Sequence, residues 1–211
     1  MELKLLVFNP IQENTYILWD ETGECVIIDP GFSNEREFER LDNFIKDNNL
    51  KPVRLINTHC HFDHILGVEK CREIYNLNWE INSEDSFLVE SSVMQASMFG
   101  FKMKEVKPAE KYLNDGDEVF FGNSYLKVIT TPGHSPGGIC LYSPESKILI
   151  TGDSLFRGSI GRTDLPGGDY NSLIINIKEK LLSLPDDVIV YPGHESATTI
   201  GDERVLNPFL R

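Results

Sequence analysis

No apolar run in this 211-residue chain approaches the length of a membrane span. The opening stretch, Met1 to Pro10, holds too short an apolar segment for an export signal. Cysteine is sparse: Cys25, Cys60, Cys71 and Cys140 are scattered, with neither CxxC nor disulfide-framework spacing. They read as reduced thiols, so the expected location is cytoplasmic. Three of them are expected in the core, and Cys60 partly exposed. Positive charge is in deficit, with 20 Lys and Arg against 33 Asp and Glu and a net charge of −13. Such a surface repels phosphate backbones, which disfavours a nucleic-acid partner. There is no short-period repeat and no low-complexity segment. The length suits one well-buried domain over residues 1–211 better than two. A small molecule is the expected partner, with no membrane partner, and the oligomeric state stays open.

Histidine is also scarce, and its placement carries the reading. Of five, three fall in Thr58-His59-Cys60-His61-Phe62-Asp63-His64. The other two each follow a Pro-Gly pair, at Thr131-Pro132-Gly133-His134 and Tyr191-Pro192-Gly193-His194. No histidine is left for an ordinary structural task. In an extended segment alternate side chains share a side, so His59 and His61 can face one point. Asp63 and His64 follow a turn and can face a second point close by. Imidazole with carboxylate suits zinc, iron or manganese, and the lack of a second Cys beside Cys60 argues against a thiolate-rich structural site. The plainer alternative makes Asp63 a helix cap and the histidines surface residues. That alternative suits a lone histidine and not all five in this arrangement.

Hydrophobic alternation and turn residues predict strands at Leu3–Phe8, Thr15–Trp19, Cys25–Ile28, Val53–Asn57, Trp79–Ile81, Val119–Phe121, Leu126–Thr130, Ile139–Tyr142, Ile148–Thr151 and Val188–Tyr191. Helices are predicted after Asn34, from near Ile65, from Ser83 to about Gly100, and from Tyr170 to Leu184. Met94, Met98, Phe99 and Phe101 are expected in the core, with a flap over the site as the rival reading. Residues 102–111 read as a charged surface loop. Asp29 reads as a turn or cap residue rather than a ligand. His59, His134, Asp153 and His194 each sit just past the carboxyl end of an apolar strand, where ligands collect in open α/β sheets.

Seven side chains suffice for two adjacent cations. The expected sets are His59, His61 and His134 for the first and Asp63, His64 and His194 for the second, with Asp153 bridging. Two ions so held lower the pKa of a shared water, and the resulting hydroxide attacks an acyl carbon. Asp63 and Asp153 are the candidate catalytic carboxylates, with Asp63 placed to orient the attacking water. A rival pattern, Gly133-His134-Ser135-Pro136-Gly137, matches the serine-hydrolase motif G-x-S-x-G. There the residue after serine donates its backbone N–H to the oxyanion, and Pro136 has none.

The stretch Thr58–His64, with His134, Asp153 and His194 following in order, resembles the metallo-β-lactamase fold superfamily over nearly the whole chain. The resemblance implies an α/β fold, a four-layer αββα sandwich with the metals at one edge of two sheets. Within the family, Thr151-Gly152-Asp153-Ser154-Leu155-Phe156 and Gly161-Arg162-Thr163-Asp164 look most like glyoxalase II-type thioester hydrolases. The tail around Thr198-Thr199-Ile200-Gly201-Asp202-Glu203 is similar to compact single-domain bacterial members. The resemblance implies hydrolysis of S-D-lactoylglutathione to D-lactate and glutathione with two divalent metal ions, zinc foremost, iron or manganese as alternatives. Larger family members grip glutathione with a C-terminal helical domain, and the chain as given stops short of one. Arg157 and Arg162 are candidates for a substrate carboxylate; ordinary solvated or ion-paired roles are the alternative. Thr58-His59-Cys60-His61 and Gly161-Arg162-Thr163-Asp164 also resemble persulfide dioxygenases, in which His59, His134 and Asp153 would hold a single iron. A metal-stabilised binding module is the non-enzymatic alternative. A β-lactam-destroying role is disfavoured by the lack of an export signal.

Overall fold

The structure is a computed structural model describing residues 1–211. Strands β1 (Glu2–Phe8), β2 (Glu13–Trp19) and β3 (Glu24–Ile28) open the chain and lead to helix α1 (Glu35–Asp47). Then come β4 (Lys51–Ile56), α2 (Phe62–Ile65), α3 (Val68–Tyr75), β5 (Trp79–Ile81), α4 (Ser86–Met98) and β6 (Lys111–Tyr112). These six strands form one sheet in the order β1-β2-β3-β4-β5-β6. The second half supplies β7 (Glu118–Phe121), β8 (Ser124–Thr130), β9 (Ile139–Ser143), β10 (Ile148–Gly152), a small hairpin of β11 (Leu155–Phe156) and β12 (Ser159–Ile160), α5 (Tyr170–Asn176), β13 (Ile189–Pro192), β14 (Thr198–Thr199) and α6 (Ile200–Leu206). Its sheet runs β14-β13-β10-β9-β8-β7.

The alternation along each strand sorts the side chains into layers. Tyr16, Leu18, Val26, Ile28 and Ile56 point inward and meet Val128, Ile139, Leu141, Ile148 and Ile150 of the second sheet. Their neighbours Ile17, Cys25, Ile27 and Leu55 point outward against Phe38, Leu41 and Ile45 of α1 and Val68 and Cys71 of α3. On the far side, Cys140, Leu149 and Val190 pack against Leu173 of α5 and Ile200 of α6. The result is helix, sheet, sheet, helix: the four-layer αββα architecture expected. Apolar faces on both sides of each sheet explain why most central strand residues are buried.

Several local expectations need correction. β4 starts at Lys51, before the predicted Val53 and across Pro52, which sits where the pairing register with β3 shifts between Cys25 and Val26; proline is tolerated at such irregularities. The helix predicted from Ile65 is two pieces, α2 and α3, broken at Gly67. The predicted 83–100 helix begins with a tight turn at Ser83–Asp85 before α4. The 102–111 loop ends in a strand, because Lys111–Tyr112 pairs with β5. Cys60 is fully buried in the outer core and not partly exposed; burial pushes its thiol well up, so it lacks thiolate reactivity. Met94, Met98 and Phe99 are exposed at 63%, 77% and 53% and not core. α4 is apolar on more than one face, and its outward residues find no partner layer; Phe99 instead stacks on Phe62 with ring centroids 5.2 Å apart.

Candidate metal centre

The loops after β4, β8, β10 and β13 carry the ligand-type side chains, and backbone bonds tie these loops together across the two sheets. Ile139 N–H donates to Thr58 O at 2.8 Å, Asn14 N–H to Gly193 O at 2.7 Å, and Gly193 N–H to Gly152 O at 2.8 Å. Tyr16 Oη donates to Pro192 O at 2.6 Å. Two glycines make room. A Cβ on Gly193 would stand 2.2 Å from Asp153 Oδ1, and one on Gly152, at φ +48, would stand 2.2 Å from Thr58 Oγ1.

Three groups of potential ligands result: His59 with His61 and His134, Asp63 with His64 and His194, and a third in which Asp29 stands with His59 and His64. In the first, His61 Nδ1 lies 2.9 Å from His134 Nε2. In the second, His194 Nε2 lies 3.1 Å from Asp63 Oδ2, and His64 Nε2 lies 3.6 Å from the same oxygen. Asp153 touches both. Its Oδ2 is 3.6 Å from His134 Nε2 and its Oδ1 is 3.5 Å from His64 Nε2. Each of its oxygens thus faces a ring nitrogen of a different group.

The outer hydrogen bonds set which ring nitrogen faces inward. His134 Nδ1 donates to Arg162 O at 2.7 Å, and His194 Nδ1 to Ile11 O at 3.1 Å. His64 Nδ1 donates to Asp29 Oδ2 at 3.2 Å. His59 Nδ1 donates to Thr58 Oγ1 at 3.2 Å, which in turn donates to Asp29 Oδ2 at 2.6 Å. In these four residues the Nε2 lone pair is therefore turned into the site, as metal ligation requires. The Nε2 atoms of His59, His61 and His64 and the Oδ1 of Asp153 are buried with no protein hydrogen-bond partner. Buried orphan acceptors are costly and rare, and cations would satisfy those aimed into the pocket. The donor set of five imidazoles and two carboxylates fits two such ions.

The electrostatics agree. Burial and the neighbouring imidazoles push His61 down to about 3 and His59 down as well, so these two rings present neutral lone pairs. Burial also acts against charge on His64 and His194, but Asp63 and Asp153 override it and raise both. Burial opposes ionisation of Asp63 too, and His64 and His194 override it, holding the carboxyl below its usual range. The second half draws positive charge.

Sequence reasoning missed three supporting carboxylates. Asp29 is neither turn filler nor cap. At 0% exposure it accepts from Thr58 N–H at 2.7 Å, Thr58 Oγ1, Asn57 Nδ2 at 3.0 Å and His64 Nδ1. Glu13 is equally buried, with one oxygen 4.0 Å from His64 Nδ1. Asp85 accepts from loops on both sheets. The only local signal was a left-handed backbone at Asp29, φ 51, and that is invisible in a sequence. Of the two candidate substrate arginines, Arg162 adjoins the first group through its own carbonyl, while its guanidinium is paired with exposed Asp164 at 2.8 Å. Arg157 is exposed at the turn of the β11–β12 hairpin.

Comparison with known proteins agrees with this geometry. The sequence profile of the Metallo-beta-lactamase superfamily matches residues 8–194. The chain is 38% identical over 212 residues to hydroxyacylglutathione hydrolase GloC of Haemophilus influenzae, covering 100% of this chain and 98% of that protein. Among solved structures it is similar to the BLEG-1 B3 metallo-beta-lactamase, at 36% identity, TM-score 0.89 and 99% coverage of each chain. It is also similar to TTHA1623 in a di-iron-bound form, at 37% identity and TM-score 0.88, covering 98% of this chain and 100% of that one. With the fold, the two ligand groups and these relatives in agreement, the chain belongs to the metallo-beta-lactamase superfamily of metallo-hydrolases.

Proposed function

We propose that this protein hydrolyses a glutathione thioester of the S-D-lactoylglutathione type, releasing D-lactate and glutathione. The observation that carries the reading is Asp153 shared between two ligand groups, supported by the likeness to GloC. The first ion would be held by His59, His61 and His134, the second by Asp63, His64 and His194, with Asp153 between them. Zinc is the ion proposed first, and the di-iron form of TTHA1623 supports testing iron beside it. When bound, the ions supply a hydroxide nucleophile near neutral pH and positive charge for the developing oxyanion.

The chain's own residues do the rest. Asp63, held ionised by His64 and His194, accepts a hydrogen bond from the attacking water and fixes its direction. Four of the five imidazoles are locked in one tautomer by Arg162 O, Ile11 O, Thr58 and Asp29, so little reorganisation is needed. The leaving thiol has an ordinary pKa of about 8.5 and departs as thiolate without a dedicated acid. Arg162 exchanges its exposed Asp164 partner for a substrate carboxylate, since exposed pairs are worth only about 0–1 kcal/mol. Arg157 is the second proposed contact. The four cysteines are buried and unpaired, which fits the proposed cytoplasmic setting. No helix is long and apolar enough to cross a membrane.

One comparison favours a second reading: the 36% identity to BLEG-1 puts a β-lactam among the substrates to be tried. The test is a panel of glutathione and coenzyme A thioesters read by thiol release, with glutathione persulfide read by oxygen uptake and a β-lactam read by ring opening. Thiol release that stops on chelation, returns with metal and is absent in Asp153→Asn supports the proposal. Oxygen uptake with one iron bound, or β-lactam opening without thioester turnover, overturns it.

A further inference from the structure

Asp85 sits at the position that precedes α4, where an aspartate ordinarily caps the helix by accepting from its first backbone N–H groups. Here it makes no such bond. The side chain turns inward instead, at 0% exposure. Oδ2 accepts from Cys60 N–H at 2.9 Å and Ser135 Oγ at 2.9 Å, and Oδ1 accepts from Gly137 N–H at 2.6 Å. Cys60 lies between His59 and His61, and Ser135 follows His134. The carboxylate thus grips two loops that belong to different sheets and carry the three ligands of the first group, while touching none of those ligands. Gly137 is fitted to it: a Cβ there would stand 2.8 Å from Asp85 Oδ1.

We propose that Asp85 is a positioning residue that holds the first-ion half of the centre together, so that affinity for the first ion depends on it and affinity for the second does not. The second half is tied down separately, by Asp29 on His64 and by Ile11 O and Asn14 around His194. Two backbone N–H groups, one from each loop, point at opposite oxygens of Asp85. An amide in its place has one acceptor oxygen, so Asp85→Asn must leave one of the two backbone donors, Cys60 N–H or Gly137 N–H, without its partner whichever way it turns. Outer partners of ligands typically contribute about 10–100-fold in metal affinity.

The test is metal binding, with no substrate present, so it fails or succeeds independently of the thioester reading. Metal-free full-length protein is titrated with zinc against a chromophoric chelator, and the bound metal is counted. His61→Gln and His194→Gln assign each binding step to its half. Asp85→Asn is expected to weaken the His61-dependent step about 10–100-fold and leave the His194-dependent step unchanged. Ser135→Ala removes one of the three bonds and is expected to give a smaller loss in the same step; it carries the test if Asp85→Asn fails to fold. Unchanged binding of the first ion in the variants that fold, or equal weakening of both steps, overturns the proposal.

Discussion

Replacing Asp29 by Asn tests the logic of the centre most directly. The backbone at this position is left-handed, φ 51, and Asn tolerates that conformation better than Ala does. The exchange therefore changes charge and hydrogen bonding with little added strain. Asp29 accepts four hydrogen bonds: Thr58 N–H and Asn57 on Oδ1, Thr58 Oγ1 and His64 Nδ1 on Oδ2. An Asn keeps one oxygen. Facing its amide group toward Thr58 N–H would orphan a buried backbone donor, at a cost of about 1–3 kcal/mol, so the amide turns toward His64. His64 Nδ1 then meets a donor and must present a lone pair, which moves its proton to Nε2. Nε2 is the atom that faces Asp63 and Asp153, and a protonated nitrogen cannot ligate. The expected result is a loss of about 10–100-fold in affinity for the second ion, equal to about 1.4–2.8 kcal/mol at about 1.4 kcal/mol per tenfold. A smaller loss at the first ion should follow through Thr58 and His59. Chelator competition on the metal-free variant measures both. Unchanged affinity at the His194-dependent step, in a variant that melts like the parent, would refute the tautomer argument.

Other outcomes follow from the same geometry. Arg162→Ala should lower kcat/KM for a substrate bearing a carboxylate by about 10–100-fold, mostly through KM, because a hydrogen bond to a charged group is worth about 1.5–3 kcal/mol; an unchanged KM would remove Arg162 from the substrate site. Trp79 is fully buried and donates Nε1–H to Asn57 Oδ1 at 2.8 Å, and Trp79→Phe should destabilise the fold by about 2–4 kcal/mol through the orphaned amide and the space left, measured by urea unfolding. A loss below about 0.5 kcal/mol, the range of neutral surface changes, would contradict it. The metal-free protein should show a pH-dependent stability traceable to His61. Its folded pKa of about 3 lies below the unfolded value of about 6.5, so between these the unfolded chain binds the extra proton and stability falls as pH drops. His64 and His194, raised in the fold, act in the opposite sense: their contribution is present at low pH and lost as pH rises through their folded values. Metal-free His61→Gln should therefore lose less Tm than the parent on acidification from pH 6.5 toward 4, and an equal loss would count against the depressed value.

Much of this protein is written locally in its sequence. Unbroken apolar runs in stretches such as Tyr16–Leu18 and Cys25–Ile28 report strands buried on both faces, because successive side chains on the pleat meet apolar layers on opposite sides. The ligand types are legible because histidine is scarce: three copies fall within His59–His64 just after β4, and His134 and His194 each follow a Pro-Gly pair after a strand. What the tertiary structure decided is the identity of contacts across long separations. Asn14 meets Pro192 178 positions away, and Asp85 meets Gly137 52 positions away; spacing along a chain carries no record of such meetings. The burial of Cys60 and the exposure of Met94 and Met98 were decided in the same way, by which layers came to cover them. So were the roles of Asp29, Glu13 and Asp85: an acidic residue in a turn looks the same in sequence whether it faces water or a buried imidazole, and only the path of the rest of the chain determines which.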